Sequence, residues 1–430
     1  MRVAIFIAEL LVEGGGERQP LQLAAELEKL GHEAIIFTLA SSPRDCYPSL
    51  QNRVRVVETG RHPLSRLPLP ARLRSLLDMR HLARAVGEGF DVINPHAWPA
   101  HWAAVAASRR SAGAPPVVWT CNDYLWPEHL LQRPHLWDLA GRPRVRWRRW
   151  IRAYDRTAVR RIDRVLVLSR MAGAQVNEGY GVEPLIVRSG AAPDDISTVP
   201  PEEVERVRRE LGLGGDAFLL LFLGILMPHR RLEDVLEALP PLIGRGRRIH
   251  FLVVGSRTHD RRYSSFLEER ARALGVAAHL TFAGAVPEVS LPLYYNACDA
   301  FIFPNENQTW GLAPVEALAC GRPVILSTGC GVSEVVTDGV HALLVPPRRP
   351  DLITHCLERL VDDADLRRRL GEAGRRLVES ELSWRRYAER MLAVFEEAAR
   401  GGEGMKAGER GARSTAGPAS SYRDKVGAHR

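Results

Sequence analysis

Asn305-Glu306-Asn307-Gln308-Thr309-Trp310-Gly311-Leu312-Ala313-Pro314-Val315-Glu316-Ala317-Leu318-Ala319-Cys320-Gly321-Arg322-Pro323-Val324-Ile325 reads as a loop, a short helix, a tight turn and a buried strand. Pro314 suits the first helical position and Gly321 the stop after the last one. That spacing predicts Glu316 in the first helical turn, where the positive end of the helix favours a carboxylate. Phe301-Ile302-Phe303 before the segment and Val324-Ile325-Leu326 after it have the character of parallel strands. A loop leaving such a strand opens toward the carboxyl edge of the sheet, where α/β proteins bind ligands. A carboxylate there can accept two hydrogen bonds from a ribose diol. Equally, Glu316 can do no more than stabilise its own helix end.

The order of residues resembles the nucleotide-sugar signature of retaining glycosyltransferases with the GT-B fold, the large family 4 group. That signature runs Glu, two residues, Gly, then a second Glu in a small-residue helix ending Gly-x-Pro-Val. Gly311 and Glu316 match, and the resemblance implies that Glu316 holds the nucleotide ribose. Gln308 stands where the first Glu would be, able to hydrogen-bond a sugar hydroxyl but without charge. Glu306 is near enough in the loop to substitute for it. Trp310, Gly311 and Leu312 fall inside the match and are assigned to donor binding on that basis.

The resemblance implies an α/β chain with two Rossmann-like doubly wound domains facing across a cleft. The expected organisation is an acceptor-side domain over 1–196 and a nucleotide-sugar domain over 197–380. A helix over 381–400 would cross back to the first domain, followed by a disordered tail over 401–430. Composition agrees. A chain of 430 residues exceeds one ordinary core, and 45% apolar residues suffice for two. No run of about 18 uncharged apolar residues appears, so no membrane span is expected. The start, Met1 to Glu9, reads as a first strand and not as a signal peptide. Six scattered cysteines without a Cys-x-x-Cys suit a reducing cytoplasm better than a disulfide or zinc framework. The net charge of +8 suits anionic partners such as nucleotide diphosphates or phospholipid headgroups. No nucleic-acid module accompanies it.

Val3 to Ala8, a helix with Leu21, Leu23, Ala24, Leu27 and Leu30, and a strand from Ala34 to Thr38 form one βαβ unit. Gly14-Gly15-Gly16 lies at its turn. Contiguous glycines do not make the dinucleotide fingerprint. They do let a backbone approach an anion at a helix start, though a flexible turn is the default reading. The loop resembles the family's Gly-Gly-x-Glu-Arg segment across the cleft from the donor phosphates. Two further strand ends carry polar residues, Asn94-Pro95-His96 and Thr120-Cys121-Asn122-Asp123. The latter resembles the family's Thr-x-His-Asp, with Asn122 at the histidine position. His96 can partly replace that histidine, and Asp123 keeps its place in the motif.

In the second domain Phe218 to Gly224 reads as a strand leading to His229-Arg230-Arg231 at a helix start, a combination that binds phosphate on physical grounds. The family pattern is Gly-Arg, four residues, Lys-Gly. Gly224 matches, Arg230 stands at the Lys, Arg231 at the following Gly, and Ile225 replaces the Arg. Gly329 to Glu334 resembles the family's Gly-Gly-x-x-Glu turn near the donor. Residues 142–154 are basic and aromatic, with Trp147, Trp150, Ile151 and Tyr154 on one helical face. Such a helix suits an anionic membrane surface, or it buries its aromatic face in the first domain.

The expected activity is therefore metal-independent, retaining transfer from a nucleotide-diphosphate sugar to a glycan, lipid-linked or small-molecule acceptor. No cofactor is expected beyond the donor. The expected location is the cytoplasm, including the inner membrane face. Two alternatives stand beside it: a nucleotide-sugar epimerase on the same fold, and a catalytically degenerate nucleotide-sugar binder.

Overall fold

The computed structural model describes residues 1–111, 113–122, 152–192, 199–214 and 217–403. The first sheet is built from β1 (Arg2–Phe6), β3 (Glu33–Thr38), β5 (Arg55–Glu58) and β6 (Val92–Pro95) in the order β5-β3-β1-β6. Bridges from Ile93 to Val117 and from His96 to Thr120 continue it into β7 (Val118–Thr120), β8 (Arg164–Val167) and β9 (Leu185–Ile186). Short strands β2 (Glu9–Leu10) and β4 (Ala40–Ser41) pair separately. Every pairing is parallel. Along β1 the side chains alternate between two cores. Val3 and Ile5 enter one, Ala4 and Phe6 the other, as a strand covered by helices on both faces requires.

The second sheet is also wholly parallel, with β10 (Phe218–Leu223), β11 (Ile249–Val254), β12 (Leu280–Gly284), β13 (Ala300–Phe303), β14 (Val324–Ser327) and β15 (Leu343–Val345). Its order is β12-β11-β10-β13-β14-β15. Phe218 to Phe222 are all buried, which explains their unbroken apolar run. The order of both sheets reverses beside the first strand of each domain. The crevices therefore lie where β1 meets β6 and where β10 meets β13. The loops after β10 and β13 are those holding Arg230 and Gln308.

After the helix Ala364–Glu381, the chain turns into the last described helix, Trp384–Glu403. Trp384, Tyr387, Met391 and Phe395 lie on one face of it and complete the core around Val3, Ile5 and Leu21. The turn is fastened by Ala191 N–H to Leu382 O at 2.8 Å and Trp384 N–H to Ala191 O at 3.0 Å. Gly190 makes this possible, because a Cβ there would lie 1.9 Å from Leu382 O.

The expected start of the 312–319 helix needs correction. The helix runs Leu312–Ala319 behind Gly311, so Pro314 is its third residue and Glu316 its fifth. Gly311 sets this earlier start through its φ of 127°. Pro314 is tolerated because first-turn N–H groups have no helical partner anyway. Gly321 ends the helix with a φ of 67°. Of the basic aromatic segment, 142–151 lie outside the described residues, as do 193–198 and the tail from 404. Tyr154, at its described end, packs edge-on against Trp102 at 5.2 Å. No helix among the described residues is long and apolar enough to cross a membrane.

Phe395 is fully buried among first-domain side chains although it lies near the end of the chain. Phe395→Ala is expected to cost about 3–5 kcal/mol, the usual cost of emptying an aromatic site. Urea unfolding followed by tryptophan fluorescence checks this; a change below about 1 kcal/mol would mean that the helix does not complete the core.

Candidate donor cleft

The helix after β13 brings Glu316 to the facing edges of the two domains, where its carboxylate is buried. Oε2 accepts from the Tyr295 hydroxyl at 2.6 Å. Oε1 accepts from Arg18 Nη1 at 2.5 Å, and Arg18 belongs to the other domain. Arg18 Nη2 also lies 3.5 Å from Glu288, and its guanidinium stands over the Tyr47 ring at 5.7 Å. Burial works against the charge on Arg18, but Glu316, Tyr47 and Glu288 outweigh it and raise its pKa. Burial, reinforced by Glu316, holds the Tyr295 hydroxyl far above the usual phenol range, so Tyr295 remains a donor.

Gly14, Gly15 and Gly16 open the helix Gly15–Lys29 that carries Arg18, with Gly14 at its N-cap. A Cβ on Gly15 would lie 3.3 Å from Leu312 Cδ1, so the glycine turn lets the two helix starts meet closely. Leu312 packs against the cores of both domains.

On the other flank, Gly224 leaves β10 with a φ of 150°. Backbone there is crowded, since a Cβ on Gly255 would fall 1.9 Å from Gly224 O. The following turn presents two arginines in contrasting states. Arg231 is paired with Asp234 at 2.6 Å and Glu233 at 2.7 Å. Burial opposes its charge, but those carboxylates prevail and raise its pKa. Arg230 has no carboxylate within ion-pair distance among the described residues. Its Nη1 donates to Gln308 Oε1 at 2.8 Å, and Phe303 lies beneath its guanidinium at 5.8 Å. Burial pushes its pKa down to about 10, still fully cationic at neutral pH. Burial and the charge of Arg230 together push His229 down to about 4.

The first domain closes the cleft with backbone and small polar groups. Ser169 Oγ donates to Thr309 O at 2.7 Å, and Thr309 Oγ1 donates to Asn122 O at 3.1 Å. Both polar atoms of the Asn122 side chain are enclosed without a partner among the described residues. Asp123 lies outside the described residues. Asn94 Nδ2 donates to Val118 O and to Thr120 Oγ1, which fixes the orientation of its amide. His96 Nε2 must then donate to Asn94 Oδ1 at 2.8 Å, leaving Nδ1 as a bare acceptor. Burial pushes His96 down to about 3, so the ring is neutral.

Three residues expected from the sequence to meet the donor sit differently from their neighbours. Glu306 is drawn outward to Arg348, at 2.9 Å. Glu334 caps a helix of the first domain, accepting from Arg170 N–H at 2.8 Å and Met171 N–H at 3.0 Å. Trp310 is buried in the second-domain core with its indole N–H unpaired among the described residues.

Residues 203–377 match the family described as glycosyl transferases group 1, and residues 13–190 match glycosyltransferase family 4. The D-inositol 3-phosphate glycosyltransferase of Actinosynnema mirum is 30% identical over 400 residues, covering 90% of this chain and 92% of that one. The chain belongs to the group 1, family 4 glycosyltransferases. The namesake enzyme of Corynebacterium aurimucosum is 28% identical, with 90% and 91% coverage. Among solved structures, Anabaena HepE with UDP-glucose superposes with a TM-score of 0.73 at 18% identity, covering 92% of this chain and all of that one. Sucrose-phosphate synthase from Thermosynechococcus elongatus gives 0.72 at 19% identity, with 93% and 100% coverage. The fold of this family 4 transferase is thus GT-B.

Sequence reasoning passed over Arg18, Ser169 and Tyr295. Arg18 is the last residue of the quoted Gly-Gly-x-Glu-Arg loop, which was the available signal. Nothing local singles out Tyr295 or Ser169, whose roles arise from contacts 21 and 140 positions away.

The neutral, buried state of His96 has a consequence in acid. The unfolded chain takes a proton near the ordinary value of 6.5, while the folded one refuses it until about 3. Unfolding therefore binds a proton in that window, and stability falls as pH drops through it. His96→Gln should flatten this dependence by up to one proton, about 1.4 kcal/mol per pH unit. Urea unfolding of both proteins at a series of pH values between 4.5 and 6.5 reads the slope. Parallel slopes would mean that His96 is protonated in the folded transferase.

Proposed function

We propose that this transferase binds a nucleoside-diphosphate sugar in the cleft and passes the sugar, with retention, to a hydroxyl of a glycan, lipid-linked or small-molecule acceptor. The observation that carries the reading is Arg230, a desolvated guanidinium left without a carboxylate partner beside a phosphate-binding type of turn. The names of the inositol-phosphate relatives and the UDP-glucose bound by HepE support a donor of this class. In this reading the remaining lone pairs of Glu316 take the ribose diol, with Arg18 and Tyr295 each holding one of its two oxygens. The diphosphate gains charge as the glycosidic bond breaks, and Arg230 stabilises that charge.

A side-chain base is not needed in this scheme. The acceptor hydroxyl attacks from the leaving-group face, and a departing phosphate oxygen takes its proton. That suits a first-domain wall whose His96 resists protonation down to about 3 and whose Asn122 cannot take up a proton at all. No metal takes part in the scheme, since the cation is supplied by Arg230. An epimerase would convert the sugar nucleotide without acceptor, so product analysis of the donor alone separates that reading.

Screening nucleotide sugars by thermal stabilisation tests the donor class, because a ligand at 100 times its dissociation constant adds about 2.7 kcal/mol. No stabilisation by any of them would remove the reading. With the matched donor, Arg230→Ala should lower turnover by roughly 10²–10³ while weakening donor binding less, as an interaction made chiefly in the transition state requires. Arg231→Ala should leave turnover within a few-fold of normal, because its charge is already held by Glu233 and Asp234. Steady-state kinetics and titration calorimetry on both variants decide. Equal losses in both would contradict the division between them.

A further inference from the structure

Nine large apolar side chains are exposed among the described residues, and five of them lie in three turns. Leu11 and Val12 follow β2, Leu64 and Leu67 follow β5, and Val289 follows β12. Val289 is 77% exposed, Val12 61%, Leu64 and Leu67 51% each and Leu11 37%. All three turns leave the carboxyl ends of their strands, so they stand on the cleft-facing rim. Polar contacts join them. Arg61 pairs with Glu9 and ties the turn after β5 to β2. The Glu13 carboxylate accepts the backbone N–H of Glu288 and ties the turn after β2 to the one after β12, across the domain boundary. A lone exposed leucine needs no explanation, but a cluster drawn from both domains does.

The turn after β5 adds positive charge. Residues 59–77 contain four arginines and no aspartate or glutamate. Arg61 is spent on Glu9 and on Asp78, 3.7 Å away. Arg66 and Arg74 are exposed and form no ion pair among the described residues. Nearby carboxylates are already engaged: Glu288 with Arg18 at 3.5 Å, and Glu13 with the N–H groups of Tyr47 and Glu288. The turn is also held firmly. Ser65 Oγ donates to His62 O at 2.6 Å, His62 N–H donates to Asp78 at 2.9 Å, and Pro63, Pro68 and Pro70 restrict the backbone. Leu64 and Leu67 are thus presented with little further ordering cost.

Exposed leucines beside unpaired arginines match a phospholipid interface, where apolar side chains enter the acyl boundary and guanidinium groups meet phosphates. We propose that this rim docks on the surface of an anionic phospholipid bilayer. Docked so, the cleft opens at the level of lipid headgroups, which among the acceptor classes favours the lipid-linked one. That consequence rests on the transferase reading; the docking does not.

The test is sedimentation of the intact protein with vesicles of phosphatidylcholine, alone or mixed with phosphatidylglycerol. Binding to the mixed vesicles should be at least about tenfold tighter, and should weaken as NaCl rises from about 0.1 to about 0.5 M. Leu64→Asn with Leu67→Asn should lower affinity for mixed vesicles about tenfold, and Arg66→Ser with Arg74→Ser roughly fivefold per arginine. Val12→Asn with Val289→Asn should act like the leucine pair. Melting curves establish that each variant is folded; should one pair not fold, the other two carry the test. No binding to mixed vesicles, or binding that every folded variant retains, would overturn the proposal. Retained binding would place the contact elsewhere, such as 142–151. A dimer seen by light scattering that dissociates in the Leu64 and Leu67 variant, with vesicles unbound, would overturn it too and assign the rim to a second copy. These results leave the nucleotide-sugar reading standing, since donor stabilisation tests that reading without lipid.

Discussion

The ion pair between Arg18 and Glu316 is the constraint around which the two domains are arranged. It joins residues 298 positions apart, and both side chains are buried. Charges withdrawn from water in this way hold each other in place, since removing either would strand its partner. Arg18 lies in the first turn of the helix that follows β1, and Glu316 in the helix that follows β13. The pair therefore registers the ligand-binding edge of one sheet against that of the other. Tyr295 and Glu288 complete its surroundings, so that neither charge depends on bulk solvent.

Around this pair the cleft is fastened by a ring of polar contacts. Ser169 reaches Thr309, Thr309 reaches Asn122, and Glu334 caps the helix that begins at Arg170. Among the described residues, the apolar contacts between the two sheets at this edge include Leu312, which packs against both cores, and Leu168, which joins the second-domain core. Polar contacts of this kind can be exchanged for water at small net cost, whereas buried apolar area cannot. The firm apolar attachment lies elsewhere, at the C-terminal helix. The C-terminal flank is thus joined chiefly by packing, while at the cleft hydrogen bonds are added to the contacts of Leu312 and Leu168.

The strand ladder was legible because both sheets are parallel and covered on two faces. Phe218 to Phe222 and Val324 to Leu326 are uninterrupted apolar runs bounded by glycine or proline, a pattern that one-sided strands do not produce. The helix start at Leu312 was misjudged because Pro314 satisfies the first position and the third about equally well, and only the positive φ of Gly311 decides. The polar residues at the strand ends could be located one by one, since strand ends converge by topology. Their partners could not. Glu306 and Gln308 are two positions apart, yet one turns outward to Arg348 and the other inward to Arg230. Such choices depend on which distant charges have already been claimed, which no local pattern records.

The placement of Trp384, Tyr387, Met391 and Phe395 in the first-domain core also bears on how the protein is made. On a ribosome, the strands β1 to β9 emerge long before the helix that covers them. Until residue 398 or so has been synthesised, Val3, Ile5 and Leu21 face water or whatever shields them, while the second domain, with its own contiguous core, can finish first. The helix Trp384–Glu403 thus seals a core begun at Val3. Maturation of the earlier-born half waits until that helix has emerged, and a nascent chain released before then would expose an apolar face that chaperones recognise.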